Sequence, residues 1–412
     1  MTSQKNNHSS FFTGSWEYNL VILLPIISAI ATVLTPYFSG SLSPGVMRTI
    51  LLGAFSVYFF AKRFVWTNTA VKGMVLMMIY LLICSFFSNN YSITFNVYFK
   101  FYISSFLFLV GYYYSHIPGT FFRWNVVILF SLIVYLLDFV LSNYLGFGET
   151  GYRGEEDSVH FGGGGVNLAK NISIILLMGP LIFNEIRKSN LSGNSLRILF
   201  IVLMIFSSLF VSLAFKRGAI LGFGLGLITF LLLTPNKNRY IRSGLLLLIV
   251  LMLSSPLYFS RIEEIYYIRE DAIHLESEEN LEKQGRYLEY KFVIDFWENA
   301  GSFNQIFGQQ LFNERNHFGI DRMFHTDYMS LLSGAGLLGL FFYFVTSLLI
   351  FRELYISWRN NPMEDNRRYF AMGSGLIVAL MIFGLSGTIM SIEPRGLILL
   401  YLGGLLGNAK HQ

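Results

Sequence analysis

Twelve apolar runs, read as membrane spans, dominate this 412-residue chain and leave few folds open to it. They lie near 16–36, 45–61, 71–87, 98–115, 124–144, 164–183, 196–214, 218–234, 241–258, 328–351, 369–387 and 395–408. Lipid offers no partner to a backbone N–H or C=O. A spanning segment is therefore a helix, which bonds to itself, or a strand of a closed barrel. The runs are continuous and lack the alternation of a barrel strand. The expected fold is all-α: a polytopic membrane helix bundle of about 12 transmembrane helices with a large helical outer loop. Only 13% of the residues are charged, against about 25% in soluble domains, which excludes a soluble enzyme.

Loop charge sets the orientation. With the N-terminus inside, the short cytoplasmic connections hold Lys62, Arg63, Lys72, Arg123, Arg187, Lys188, Arg197, Lys237, Arg239, Arg242, Arg352, Arg359, Arg367 and Arg368. The short outer connections PYFSGSLSPG, SNNYSITFN and LSGTIMS hold no lysine or arginine, as the positive-inside rule requires. Both long connections, 145–163 and 259–327, then lie outside. The expected division is 1–258 as nine spans, 259–327 as a large periplasmic loop, and 328–412 as three spans with a cytoplasmic C-terminus. The polar start MTSQKNNHSSF, followed by a full-length apolar run, predicts a retained helix rather than a cleaved signal peptide. Cys84 is the only cysteine, so neither a disulfide nor a cysteine-built metal site is expected. The formal net charge of +5 resides in loops, without the basic and aromatic surface that nucleic acid requires, so no nucleic-acid partner is expected.

Lys216 and Arg217 sit between two apolar runs with hardly any loop around them, at the outer surface by this topology. Two readings stand: side chains that reach to lipid headgroups, or fixed cations that grip a lipid-linked anion. Arg153 in the first long loop and Arg286 in the second add guanidinium groups on the same side. Guanidinium holds phosphate oxygens through paired planar hydrogen bonds, so several converging on one cavity would suit a lipid-borne pyrophosphate; any one alone, Arg217 excepted for where it sits, reads better as a solvated or headgroup-facing charge. His325, just before the tenth run, has the chemistry to take or share a hydroxyl proton near neutral pH, or simply caps and orients a helix entrance. In the outer loop, Leu288, Phe292 and Phe296 recur every four residues and predict an amphipathic helix over the bundle's mouth. The glycine run 162–165 lacks a nucleotide-loop pattern and reads as a lid or close packing. Gly334, Gly336 and Gly339 read as thinning one helix face for a neighbour.

Arg217-x-x-x-Leu221, a large outer loop, then His325-Thr326-x9-Gly336-x-x-Gly339 resembles the O-antigen ligase and O-antigen polymerase superfamily of bacterial envelopes. Thr326 departs from the Asn, Ser or Gln usual after that histidine. Arg286, Trp297 and Gly308 fill the family's loop pattern, and the resemblance covers about 200–345. It implies a metal-independent glycosyltransferase without cofactors, at the periplasmic face of the inner membrane. The implied donor is a glycan on undecaprenyl pyrophosphate, and the acceptor a lipid-linked or lipid A-core sugar; a chain-length regulator protein is a further implied partner beside membrane lipids. The implied catalytic residues are His325, Arg217 and Arg286, with Arg153, Lys216, Arg217 and Arg286 on the substrate. Arg153-x10-Gly164 looks like the arginine-to-glycine spacing of polymerase loops and favours polymerisation over ligation. A flippase would need two matching halves, which the chain lacks; Asp138 and Lys170 within spans fit an ion pair that fixes packing. Polyprenyl-phosphate glycosyltransferases with an acidic first outer loop are disfavoured, since PYFSGSLSPG has no carboxylate.

Overall fold

The computed structural model describes residues 15–38, 43–144, 165–188, 194–214, 216–235, 237–238, 240–241, 285–319, 324–389 and 391–411. These form an all-α, polytopic membrane bundle. Eight helices lead in: α1 Trp16–Leu34, α2 Pro44–Lys62, α3 Thr69–Ser85, α4 Tyr91–Tyr114, α5 Thr120–Tyr144, α6 Gly165–Lys188, α7 Asn194–Ala214 and α8 Arg217–Leu233. The second long connection contributes α9 Gly285–Asn299, α10 Ser302–Phe307 and α11 Glu314–His317, and α12 Asp327–Asn360, α13 Glu364–Gly384 and α14 Ile392–His411 close the chain. Eleven apolar runs fall on described helices; the run near 241–258 lies outside the described residues beyond its first position. Among the described residues, seven helices are long and apolar enough to cross a membrane, and α3 and α8 are shorter apolar helices of 17 residues.

Helix ends differ from the hydropathy boundaries where polar residues find partners. The α12 helix runs to Asn360, past the end of its apolar run, because Glu353 accepts from Asn68 Nδ2 (3.1 Å) and Lys410 Nζ (2.9 Å). The α4 helix starts at Tyr91, where the Asn90 side chain caps the Ile93 N–H at 3.3 Å.

Hydrocarbon gives helices little hydrophobic reason to associate, so close backbone approach and polar contacts decide their packing. The α14 helix crosses α4 where Gly111, Gly403 and Gly407 remove side chains: a Cβ on Gly403 would lie 2.1 Å from the Phe108 carbonyl oxygen. The α8 helix meets α13 along Gly218, Gly222 and Gly226, and a Cβ on Gly226 would lie 2.9 Å from the Gly375 carbonyl oxygen. Buried charges sit in the same bundle. Arg48 of α2 pairs with Glu393 of α14 at 2.5 Å, and the Arg395 guanidinium lies over the rings of Phe101 (4.5 Å) and Tyr343 (5.3 Å).

Candidate functional site

The segment 285–319 is anchored by its own motif residues. Trp297 Nε1 donates to the Gln305 carbonyl at 3.3 Å, and Gln305 Nε2 donates back to the Trp297 carbonyl at 3.0 Å, which staples α9 to α10. Phe296 packs edge-on to His317 and Phe318, and Phe292 lies 6.2 Å from Phe318, so one face of α9 is apolar. Gly308 and Gly336 meet backbone to backbone, at φ +74° and +66°. Gly336 therefore does more than thin a face: it breaks α12 with φ 66°, ψ −168°, a conformation open essentially to glycine alone. The loop enters that break, with Gln309 N–H donating to the Ser333 carbonyl at 2.8 Å. Thr94 Oγ1 donates to the Leu311 carbonyl at 3.0 Å and ties the loop to the start of α4.

Nine residues of α12, Asp327 to Ala335, precede the Gly336 break, and His325 stands just before their start. Its side chain is exposed, at 47% of full accessibility, while Glu289 on α9 is buried at 1%. One Glu289 oxygen accepts the His325 backbone N–H at 2.9 Å, and the other lies 3.4 Å from Nδ1 of the ring. Arg286 occupies the first turn of that helix, three residues before Glu289; its side chain lies outside the described structure. Glu314 of α11 is fully buried, and burial pushes its carboxyl up to about 7, with the Glu289 charge adding to the rise. Ser330 tempers that rise, yet neither Glu314 oxygen has a hydrogen bond of normal geometry among the described residues. Burial also holds the neighbouring His317 imidazole below its ordinary range.

The short turn after α13, residues 385–389, joins the remaining parts. Asp327 accepts from Thr388 N (2.6 Å), Thr388 Oγ1 (2.5 Å) and Ile389 N (2.9 Å). On the carbonyl side of the turn, the buried Lys170 Nζ donates to Gly387 O at 2.8 Å and Ser386 O at 3.4 Å. The turn is thus held through its N–H groups by a carboxyl group and through its carbonyls by a lysine amine. Gly387, at φ +77°, lets the chain pass the His325 carbonyl, 2.5 Å from where a Cβ would stand. Gly218, beside Arg217, lies against the Ser386 side chain, whose Oγ would stand 2.9 Å from a Cβ there. Lys216 is half-buried with extended backbone (φ −84°, ψ 100°), and Arg217 opens α8 with its side chain exposed. The starts of α8 and α12 therefore flank one turn, and α9 meets the α12 side of it at His325, through Glu289. Arg153 and the 145–164 segment lie outside the described residues.

Residues 201–344 match the O-antigen ligase family. The chain carries an O-antigen ligase family domain. No curated protein matches the chain in sequence. The O-antigen ligase domain runs from α7 through the outer segment and past the Gly336 break, so it takes in Lys216, Arg217, Arg286, His325, the Trp297 staple and the Gly308–Gly336 contact. Two of its three loop-pattern positions, Trp297 and Gly308, are occupied with holding structure. Sequence reasoning missed Glu289, Asp327 and the 385–389 turn. Glu289 looks like one more charge on a solvated helix face, and LSGTIMS has no lysine, arginine or carboxylate to mark it. A carboxylate three residues after the motif arginine was the available signal.

Proposed function

We propose that this protein is a glycosyltransferase that polymerises lipid-linked oligosaccharide repeat units at the periplasmic face of the inner membrane. The observation that carries the reading is the 385–389 turn, against which both the Lys216–Arg217 helix start and the exposed His325 pack. The donor is a glycan on undecaprenyl pyrophosphate and the acceptor a sugar hydroxyl. The acceptor oxygen attacks the anomeric carbon, the carbon–oxygen bond to pyrophosphate breaks with its electron pair, and His325 takes the hydroxyl proton. A pyrophosphate is already a capable leaving group, so the enzyme's task is to stabilise the charge that develops on it and to position the acceptor. Arg217, Arg286, Arg153 and Lys216 supply that charge, arginine by bidentate contact. In this reading 1–258 and 328–412 form one membrane bundle and 259–327 its periplasmic loop.

Arginines in both long outer loops favour the polymerase; the matched family's description favours a ligase that delivers the glycan to lipid A-core. Expression of the gene in one strain lacking its polymerase and another lacking its ligase separates them. A ladder of lengthened lipid-linked glycans in the first strain supports polymerisation. Glycan transferred to lipid A-core in the second strain, with no ladder in the first, overturns it for ligation.

A further inference from the structure

His325 is exposed, so packing alone does little to hold its imidazole in one orientation. Glu289 supplies what packing does not. It is buried, it is anchored on a helix rather than a loop, and it engages His325 twice: the backbone N–H at 2.9 Å and ring Nδ1 at 3.4 Å. The first contact sets where the histidine stands. The second sets which way the ring faces and which nitrogen keeps its proton, because a carboxylate beside an imidazole nitrogen favours N–H there. Nε2 is left with its lone pair directed away from the carboxylate.

We propose that Glu289 is the positioning residue of the site, holding neutral His325 in the Nδ1–H tautomer so that Nε2 is the atom that receives the acceptor's proton. The inference rests on the glycosyl-transfer reading for its consequence, though not for its geometry. Glu289 lies three residues after Arg286 on α9, so the helix that brings an arginine to the outer face also orients the histidine.

The test uses the full-length protein in lipid nanodiscs with ¹⁵N-labelled histidine. His325→Gln identifies the His325 signals among the seven histidines, and spectra are taken over a pH series so that the tautomer is read from the neutral-ring signals. The wild type is expected to show Nδ1–H. In the near-isosteric Glu289→Gln the amide NH₂ would donate to Nδ1, so the proton should move to Nε2. Turnover of lipid-linked donor should fall about 10–100-fold with KM unchanged, the range seen when partners that orient metal-bound histidines are removed. Glu289→Asp keeps a carboxylate and should retain the wild-type tautomer with turnover between the two. The same tautomer in wild type and Glu289→Gln overturns the proposal, whatever the activity. A switched tautomer supports it; if His325→Ala nevertheless turned over donor like wild type, the glycosyl-transfer reading would fail while the orienting role stood.

Discussion

Replacing Gly336 with Ala should undock the outer loop from α12. Gly336 adopts φ 66°, ψ −168°, and Gly308, against which it packs, adopts φ 74°, ψ −176°. A side chain in that region costs about 1–3 kcal/mol in backbone strain alone. The new Cβ would also stand 2.3 Å from the Ile306 carbonyl oxygen and 2.5 Å from Gly308 N, both backbone atoms with no rotamer to change. Relief requires the α10–Gly308 segment to move outward by about an ångström, which breaks the 2.8 Å Gln309 N–H to Ser333 carbonyl bond. Leaving that pair unsatisfied adds about 1–3 kcal/mol, for a sum on the order of 2–6 kcal/mol, enough to open a locally held segment. Gly224→Ala is the control, since a Cβ there meets nothing within 4 Å and the position is ordinary helix. It should be neutral or stabilising by up to about 1 kcal/mol. The assay is limited proteolysis of the outer segment in nanodiscs beside thermal unfolding of the same samples, with glycan ladders read in cells. Gly308→Ala should reproduce the effect, and the double variant should cost less than the two singles summed, because both break one contact. A Gly336→Ala protein as protease-resistant and as thermostable as Gly224→Ala would refute the reasoning.

The other predictions concern charge and protons. Arg217 is exposed, so Arg217→Ala should change stability by no more than about 0.5 kcal/mol yet abolish polymer; Arg217→Lys should also be poor, and wild-type polymer from the lysine variant would sink the pyrophosphate-grip idea. His325→Ala should reduce turnover far more than donor binding, measured separately by single-turnover and equilibrium binding assays; near-normal turnover would remove it from the site. Activity should survive EDTA, and loss reversed by one divalent ion would contradict charge stabilisation by arginine. Glu314, ordinarily at 4.5, sits at about 7, so the folded loop binds more protons than the unfolded chain between those values. Its contribution is fully present below about 4.5 and is lost as pH rises through about 7, by at most about 1.4 kcal/mol per pH unit. Protease resistance of the outer segment should fall across that window, and Glu314→Gln should flatten the profile.

The helical character of the described apolar runs was legible in the sequence alone because the cause is local. A helix closes its own hydrogen bonds four residues away, and lipid imposes that on any long apolar run. Lys216, Arg217 and His325 were legible as candidates for a similar reason: a charge or imidazole at the edge of an apolar run is conspicuous wherever the chain goes next. What tertiary structure decided are pairings between residues far apart with no periodic signal. Glu289 meets His325 across 36 residues, Asp327 takes Thr388 across 61, and Lys170 reaches Gly387 across 217. Gly336 shows the boundary between the two kinds of information. As one of three glycines in an apolar helix it reads as a packing face, and only the arrival of Gly308 from another segment turns it into a break. Burial does the rest: Glu289 and Asp327 carry carboxyl groups taken out of water, so each must find its partner in the fold, and those partners bring α9, α12 and the 385–389 turn to one place.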